Sequence, residues 1–391
     1  MGVSSRTTFF VLFLAALLAF VNERYYAIRV IINNQPDRLP SVKAFSDYKI
    51  KLQDQVRNCE DAVIDESRGI AILSCDPGRD KWNTVMGTFV DSTIPGSLWV
   101  YKYSDFDSQE EHAHRLRVDG FNETQLNGFH PLGMEYWPET STVYVSNHAK
   151  SGPKVEIFKL NEDETGFSLQ HQRTLSHPLI HAPNSLVAVS DDELYMTNDH
   201  KWKIGEHPKK SMFETYLAYP GGSIVYINLK TNTYKELANI PFANGVTALN
   251  KTHLAVASTA QPSVIIFKID PESISLTETA KLRPAFMVDN LSTDSNGHLL
   301  MAGHPDLKLL KNVAKTNQFY DLDGTGEGKP EAERPRAPSW VAEWDGNAGG
   351  VIRDIYVGTE YGTGCTAARD VGRGLGIVSG LYEKGIFVWK E

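Results

Sequence analysis

Residues 184–199 read NSLVAVSDDELYMTND, residues 244–259 NGVTALNKTHLAVAST, and residues 289–304 DNLSTDSNGHLLMAGH. Each opens on an acid or amide, runs through a short apolar strand, turns on polar residues, and finishes a second strand at a polar cluster. Residues 60–76, EDAVIDESRGIAILSCD, repeat the pattern, and residues 133–148, GMEYWPETSTVYVSNH, give a looser copy opening on Gly133. A second segment type follows these hairpins: SLWVYKY at 97–103, KVEIFKL at 154–160, SIVYINL at 223–229, SVIIFKI at 263–269 and GIFVWKE at 385–391. These alternate and are β-branched, as third strands should be. Three or four strands per unit of about 45–70 residues predict the blades of a β-propeller, with a pair of β-sandwiches as the competing arrangement. Counting residues 362–391 as a partial last unit gives about six blades, so the expected fold is all-β, a six-bladed β-propeller over residues 57–391. A last segment that is itself a blade strand points to ring closure near the termini, which removes open sheet edges.

Around this core the pattern changes. Phe9 to Val21 is an unbroken apolar run preceded by Arg6. It is shorter than the roughly 20 residues of a usual spanning helix and matches the apolar part of a secretory signal. No good small-x-small cleavage site follows, so residues 1–25 read as a signal peptide or an uncleaved signal anchor. Residues 26–56 form a lead-in of mixed pattern. The connections at 76–95 and 201–220 are long, and 311–338, with DLDGTGEGKPEAERPRAP inside it, reads as a surface insertion. DLDGTGEG resembles half of a calcium loop but lacks the EF-hand spacing.

The compartment implied is the secretory pathway, with the propeller lumenal or extracellular, secreted or membrane-anchored. Asn122 and Asn250 open glycosylation sequons; Asn290 opens a third but has a competing role. Cys59 and Cys75 lie equally far from Ser67, so a hairpin centred there sets them opposite each other, as a cross-strand disulfide or as two buried thiols. Cys365 is left over as a free thiol. The formal net charge of -9 argues against nucleic-acid binding. No phosphate-binding glycine loop, G-x-S-x-G elbow, zinc helix motif or C-x-x-C pair supports nucleotide, serine-nucleophile or zinc chemistry. The sequence sets no oligomeric state.

In a propeller the innermost strand of each blade lines the central channel. Glu60, Asn184, Asn244, Asp289 and Asn290 hold equivalent places at strand starts and would meet at one mouth, giving five oxygen ligands and two negative charges. Hard acid and amide oxygens suit calcium rather than zinc. The plainer alternative is that such residues only initiate strands and cap turns.

Taken together, Glu60-Asp61, His130-Pro-Leu-Gly-Met134, Val145-Ser-Asn-His148, Asn184-Ser185, Thr197-Asn-Asp-His200, Phe242-Ala-Asn-Gly245, Val288-Asp-Asn290 and Gly303-His-Pro305 resemble the paraoxonase/arylesterase family over most of the chain beyond residue 50. That resemblance implies a six-bladed propeller with a catalytic calcium in the channel and a structural calcium below it. Glu60, Asn184, Asn244, Asp289 and Asn290 match the ligands of the first ion. Asp61 and the backbone carbonyl of Met134 match ligands of the second, and Ser185 stands where the family pattern has a further acid. The implied activity is hydrolysis of lactones or aryl esters, with the metal polarising a carbonyl attacked by activated water.

The family's proton shuttle is proposed to use a pair of histidines. His148 matches the outer one, but the inner is replaced, because the family's Pro-His-Gly reads Pro131-Leu132-Gly133 here. Leu132 carries no proton. His130, two positions upstream, would point to the same side of a strand and substitute in part; the simpler base is Asp289 or Glu60. His200, beside Asp199, is a second donor or alternative base, and His304 a pocket-wall residue. Two other readings stand beside this one: a gluconolactonase-like or natural-product tailoring enzyme, and a non-catalytic, calcium-stabilised, membrane-anchored binding propeller.

Overall fold

In the computed structural model, which describes residues 5–103, 106–107, 113–164, 166–346 and 350–391, consecutive strands pair antiparallel into six blade sheets and one two-stranded ribbon. The inner strands of blades one to six are Cys59–Asp65, Pro131–Trp137, Pro183–Ser190, Ala243–Asn250, Met287–Thr293 and Gly364–Asp370. Second strands such as Ile70–Cys75 and Leu299–His304 are buried along their whole length, because a neighbouring blade covers each face; that is why they read as continuous apolar runs. Outermost strands such as Leu276–Leu282 are mostly exposed and polar. Apolar clusters fill each gap between blades: Leu73, Tyr101, Ile377 and Val388 join blades six and one, and Val187, Tyr226, Leu254 and Phe267 join blades three and four.

The ring closes through strands drawn from both ends. Blade six takes three strands from residues 364–390, and its outermost strand is Asp47–Lys51, paired antiparallel with Ile386–Lys390. Val42–Lys43 adds to the edge of blade five. The segment 26–56 is therefore no mere lead-in: it supplies the closing strand.

It also continues the N-terminal helix, which runs Ser5–Asn33 rather than stopping with the apolar run. Thr8–Asn33 is long and apolar enough to cross a membrane by length and composition, and only 6% of its apolar window is buried. Its second half docks on the propeller. Glu23 pairs with Arg283, Arg24 Nη2 donates to Ala260 O at 2.8 Å, Tyr26 Oη to Arg283 O at 2.9 Å, and Asn34 Nδ2 to Ala285 O at 2.7 Å.

The stretch 311–338 is not wholly a surface insertion either. It begins inside a helix, Leu307–Thr316, capped by the Asp306 side chain, which accepts from Lys308 and Leu309 N–H. Leu310, Val313 and Ala314 turn inward onto Leu381 and Tyr382, forming a seventh apolar cluster on top of the ring.

Cys59 and Cys75 face each other across the first hairpin and form a disulfide with a sequence separation of 16. Closing a loop of that length restricts the unfolded chain by about 3 kcal/mol. Replacing both cysteines with alanine is expected to lower the unfolding free energy by about 2–4 kcal/mol, read by equilibrium denaturation. An unchanged midpoint would mean the bridge contributes nothing to the resting fold.

Candidate functional site

All six inner strands break their ladder at the same place, just after the first residue or two. The register slips between Cys59 and Asp61, Pro131 and Met134, Pro183 and Leu186, Ala243 and Val246, Val288 and Leu291, and Gly364 and Thr366. A bulge frees a residue from cross-strand pairing and re-aims its side chain. The residues skipped include Glu60, Leu132, Asn184, Asn244, Asp289, Asn290 and Cys365. Thus every residue matched to the catalytic ion sits in a bulge at the channel mouth.

Two glycines in the bulges let neighbouring inner strands approach closely. A Cβ on Gly133 would lie 2.2 Å from Asn184 O, and one on Gly245 would lie 2.6 Å from Asn290 Cα. Any side chain there would push blades two and three, or four and five, apart.

The hydrogen bonds orient the amides. Asn290 Nδ2 donates to Glu60 Oε1 and Thr366 Oγ1, both at 2.9 Å. Asn244 Nδ2 lies 3.0 Å from Thr259 Oγ1, whose own proton goes to Val288 O at 2.6 Å. With both nitrogens tied to protein acceptors, the amide oxygens face the other way. Glu60 Oε2, Asn184 Oδ1, Asn244 Oδ1 and Asn290 Oδ1 are all buried with no hydrogen-bond partner among the described residues. Leaving such a group unmatched costs about 1–3 kcal/mol; Glu60, Asn184 and Asn244 line one cavity, and Asn290, bonded to Glu60, stands beside it. Similar unmatched oxygens elsewhere, on Asn317 and Glu343, are isolated, and Arg369 lies 2.8 Å from the latter.

Burial, with Asp61 and Asp289 adding repulsion, pushes the Glu60 carboxyl well above the usual carboxylate range. A positive charge at the mouth would reverse that. No group of three or more His, Cys, Asp or Glu side chains gathers as a metal cluster among the described residues; the convergence here is of two acids with three amides, oxygen donors that could hold a hard divalent cation.

Above the mouth lies a cavity of about 440 Å³ whose floor includes Glu60, Asn184, Asn244 and Asp289. Leu132, Met86, Phe242, Met287 and Leu381 make its walls apolar. Three helices roof it: Leu307 and Leu310 from 307–316, Tyr216 and Leu217 from Pro208–Leu217, and Phe20, Ala27, Ile28 and Ile31 from the N-terminal helix.

His130, His148 and His200 are placed behind this wall rather than in it. His130 bridges Asp76 Oδ2 at 3.0 Å and Ser92 O at 3.1 Å, tying down the 76–95 connection. It precedes the strand and the bulge, so simple alternation with Leu132 does not apply. His148 spends one ring nitrogen on Pro183 O at 2.5 Å and the other on Thr84, and burial lowers its pKa. His200 lies between Asp199 Oδ1 and Thr215 Oγ1, each at 2.8 Å, so it fastens the Pro208–Leu217 helix; burial lowers its pKa, but the Asp199 contact outweighs this and the net shift is upward. All three hold the loops that frame the cavity.

The histidine that does enter it is His304, whose Nε2 lies 2.8 Å from Asp289 Oδ2 and whose buried Nδ1 has no partner. Below the mouth, Asp61, Met134 and Ser185 line a separate cavity of about 270 Å³. Of the glycosylation candidates, Asn122 and Asn250 are exposed, whereas Asn290 is 2% exposed and committed to the mouth.

The Arylesterase family model matches residues 81–319. The chain belongs to the paraoxonase/arylesterase family. Among its relatives is a Bos taurus protein, serum paraoxonase/arylesterase 2, 32% identical over 219 residues, which are 54% of this chain and 58% of the relative. The matched part thus spans less than two thirds of that relative. A Gallus gallus serum paraoxonase/arylesterase 2 is 31% identical over 282 residues, 68% of this chain and 72% of the relative. Among solved structures, a gluconolactonase from Xanthomonas campestris superposes with TM-score 0.51 at 12% identity, over 90% of this chain and 97% of that one, a likeness of fold alone.

Three features of this family member escaped the sequence. The first is the His304–Asp289 pair. The second is Phe242, a bulky residue held at φ 47° just before inner strand four, whose ring packs 4.3 Å from His200 and forms cavity wall. Backbone held in this region carries strain of about 1–3 kcal/mol. The third is the N-terminal helix as a pocket wall. For Phe242, no signal in the sequence marks the left-handed backbone; for the helix, only its uninterrupted length does.

Proposed function

We propose that the chain is a calcium-dependent hydrolase of lactones and aryl esters, acting at the channel mouth. The observation that carries this is the set of four buried, donorless oxygens on Glu60, Asn184, Asn244 and Asn290, which with Asp289 match a divalent ion in charge and donor type. Bound calcium supplies Lewis-acid stabilisation for negative charge growing on a carbonyl oxygen.

The chain's own residues do the rest. Leu132, Phe242 and the roof helices exclude water and seat the apolar part of an ester. Asp289 Oδ2 accepts the Nε2–H of His304, fixing the tautomer that leaves the Nδ1 lone pair free. Asp289 and His304 together take up the proton of the attacking water and return it to the leaving alcohol. Asn184 and Asn244 hold their oxygens in place through the bulges. This assigns proton transfer to the pair beside the mouth, with Leu132 as a substrate contact where the family pattern has histidine.

The apolar Thr8–Asn33 helix and the Cys59–Cys75 bridge support delivery to the secretory pathway and an uncleaved anchor. Cleavage near residue 25 would remove Glu23 and Arg24, two of the contacts that dock the helix. Exposed Met212, Phe213 and Leu217 beside it support a membrane surface at the cavity entrance.

The test is turnover of a lactone and aryl-ester panel by the full-length chain in detergent. Turnover should vanish on chelation and return with calcium. Stoichiometric calcium without turnover of any panel member would replace this reading with that of a binding propeller.

A further inference from the structure

We infer that the lower channel of this chain holds no second metal ion, its place being taken by protein hydrogen-bond donors around Asp61. The inference rests on the calcium reading of the upper mouth, and it departs from the two-ion arrangement that the family resemblance implies.

Both sites can be judged by the same donor accounting in the same molecule. At the upper mouth the oxygens of Glu60, Asn184 and Asn244 lack any partner, and so does Asn290 Oδ1, which stands between the two cavities beside Glu60. In the cavity just below, none of the matched side chains does. Asp61 Oδ2 accepts from Met134 N–H at 2.8 Å. Asp61 Oδ1 accepts from Ala62 N–H at 2.8 Å and has the Thr366 hydroxyl at 3.0 Å. Burial still leaves the net shift of this carboxyl upward, but the backbone N–H groups on both oxygens and the Thr366 hydroxyl offset part of that cost and occupy the directions a cation would use.

Ser185 completes the exchange. Its Oγ accepts from Val246 N–H at 3.2 Å, and its own N–H goes to Thr197 Oγ1 at 3.1 Å. A hydroxyl here is a weak neutral ligand, so the change from acid to serine removes one charge as well as one strong donor oxygen. Glu66 and Glu135 also line this cavity; burial pushes the Glu135 carboxyl up to about 8, with a hydrogen bond from the Ala188 backbone offsetting only part of that. The residues present therefore do not fit a second calcium.

The neighbours tell the same story. Thr366 Oγ1 lies 2.9 Å from Glu60 O and accepts from Asn290 Nδ2 at 2.9 Å, so it links the floor of the upper mouth to Asp61. In this chain a hydroxyl and two amide protons brace the inner strands where an ion would otherwise do so.

The experiment is calcium stoichiometry by equilibrium dialysis with radioactive calcium, on the full chain, on the double variant Asn184→Ala/Asn244→Ala, and on Asp61→Asn. The inference expects one ion per full chain, none in the double variant, and one retained in Asp61→Asn. Thermal unfolding of the double variant should show no shift between calcium and chelator, a check that holds even if Asp61→Asn fails to fold. Two ions in the full chain, with one surviving in the double variant and raising its midpoint, would overturn the inference while leaving the upper site standing. No ion in the full chain would instead sink the upper-site reading and leave the lower channel empty, as inferred.

Discussion

Asp289→Asn is expected to lower lactone and aryl-ester turnover by about two to four orders of magnitude at saturating calcium, the range lost with a positioned acid–base group. Asparagine keeps the shape of the side chain and can still offer an oxygen to the mouth. It loses the charge that makes Asp289 a base and no longer holds His304 in the tautomer with a free Nδ1. The cation is also held less tightly, since only Glu60 then carries charge there; measuring at saturating calcium separates that effect from the chemical step. His304→Gln should cost less, about 10- to 100-fold, because Asp289 remains as the charged member of the proton-transfer pair. His130→Gln and His148→Gln should stay within about tenfold of the parent, because their rings brace loops behind the wall. Parent-like turnover in Asp289→Asn, with His148→Gln inactive, would return the proton to the family's histidine route.

The second large effect concerns stability. Gly133→Ala is expected to cost about 3 kcal/mol or more, because the added methyl would sit 2.2 Å from Asn184 O and 2.9 Å from Ser185 Cα. Both are backbone atoms, so no side-chain rotation relieves the clash, and inner strands two and three must separate. Asn184 would move with its strand, so calcium affinity should fall together with stability. Gly372→Ala is the control: its nearest neighbour, Asp370 Oδ1, is 3.5 Å away, and the change should stay within about 0.5 kcal/mol. Equilibrium unfolding of the two variants, with a calcium titration of each, decides the matter. Equal stabilities would mean that the inner strands have more slack than these contacts allow.

What could be read in the sequence was set by how local its cause is. The hairpin repeats were legible because turn residues and apolar alternation act over a few positions, and the phase of Glu60, Asn184, Asn244 and Asp289 within the repeat carried the mouth with them. The closing strand Asp47–Lys51 was not legible. Only Tyr48 and Ile50 join the apolar cluster, beside a buried Lys51 that no apolar pattern would place inside, and the strand's role depends on a partner more than 300 positions away. The apolar run ends at Val21, yet the helix continues to Asn33, and Glu23 and Arg24 find their partners on distant loops. His130 was expected on the same side as Leu132; the bulge between Pro131 and Met134 voids that alternation. The helix Leu307–Thr316 is a different kind of miss, since its Asp306 cap and inward Leu310, Val313 and Ala314 are a local signal that the flanking Gly- and Pro-rich stretch obscured.

The way the ring closes also sets a timetable for making the protein. Ser46 reaches Lys390 O across 344 positions, and the strand that begins at Asp47 cannot pair until its partner has left the ribosome. At about 5–20 residues per second, that wait is roughly 20–70 s. Through that interval five blades can form one after another, while the Asp47–Lys51 strand stays an unsatisfied edge, open to any passing chain. Residues 386–390 therefore act as the latch of the whole fold.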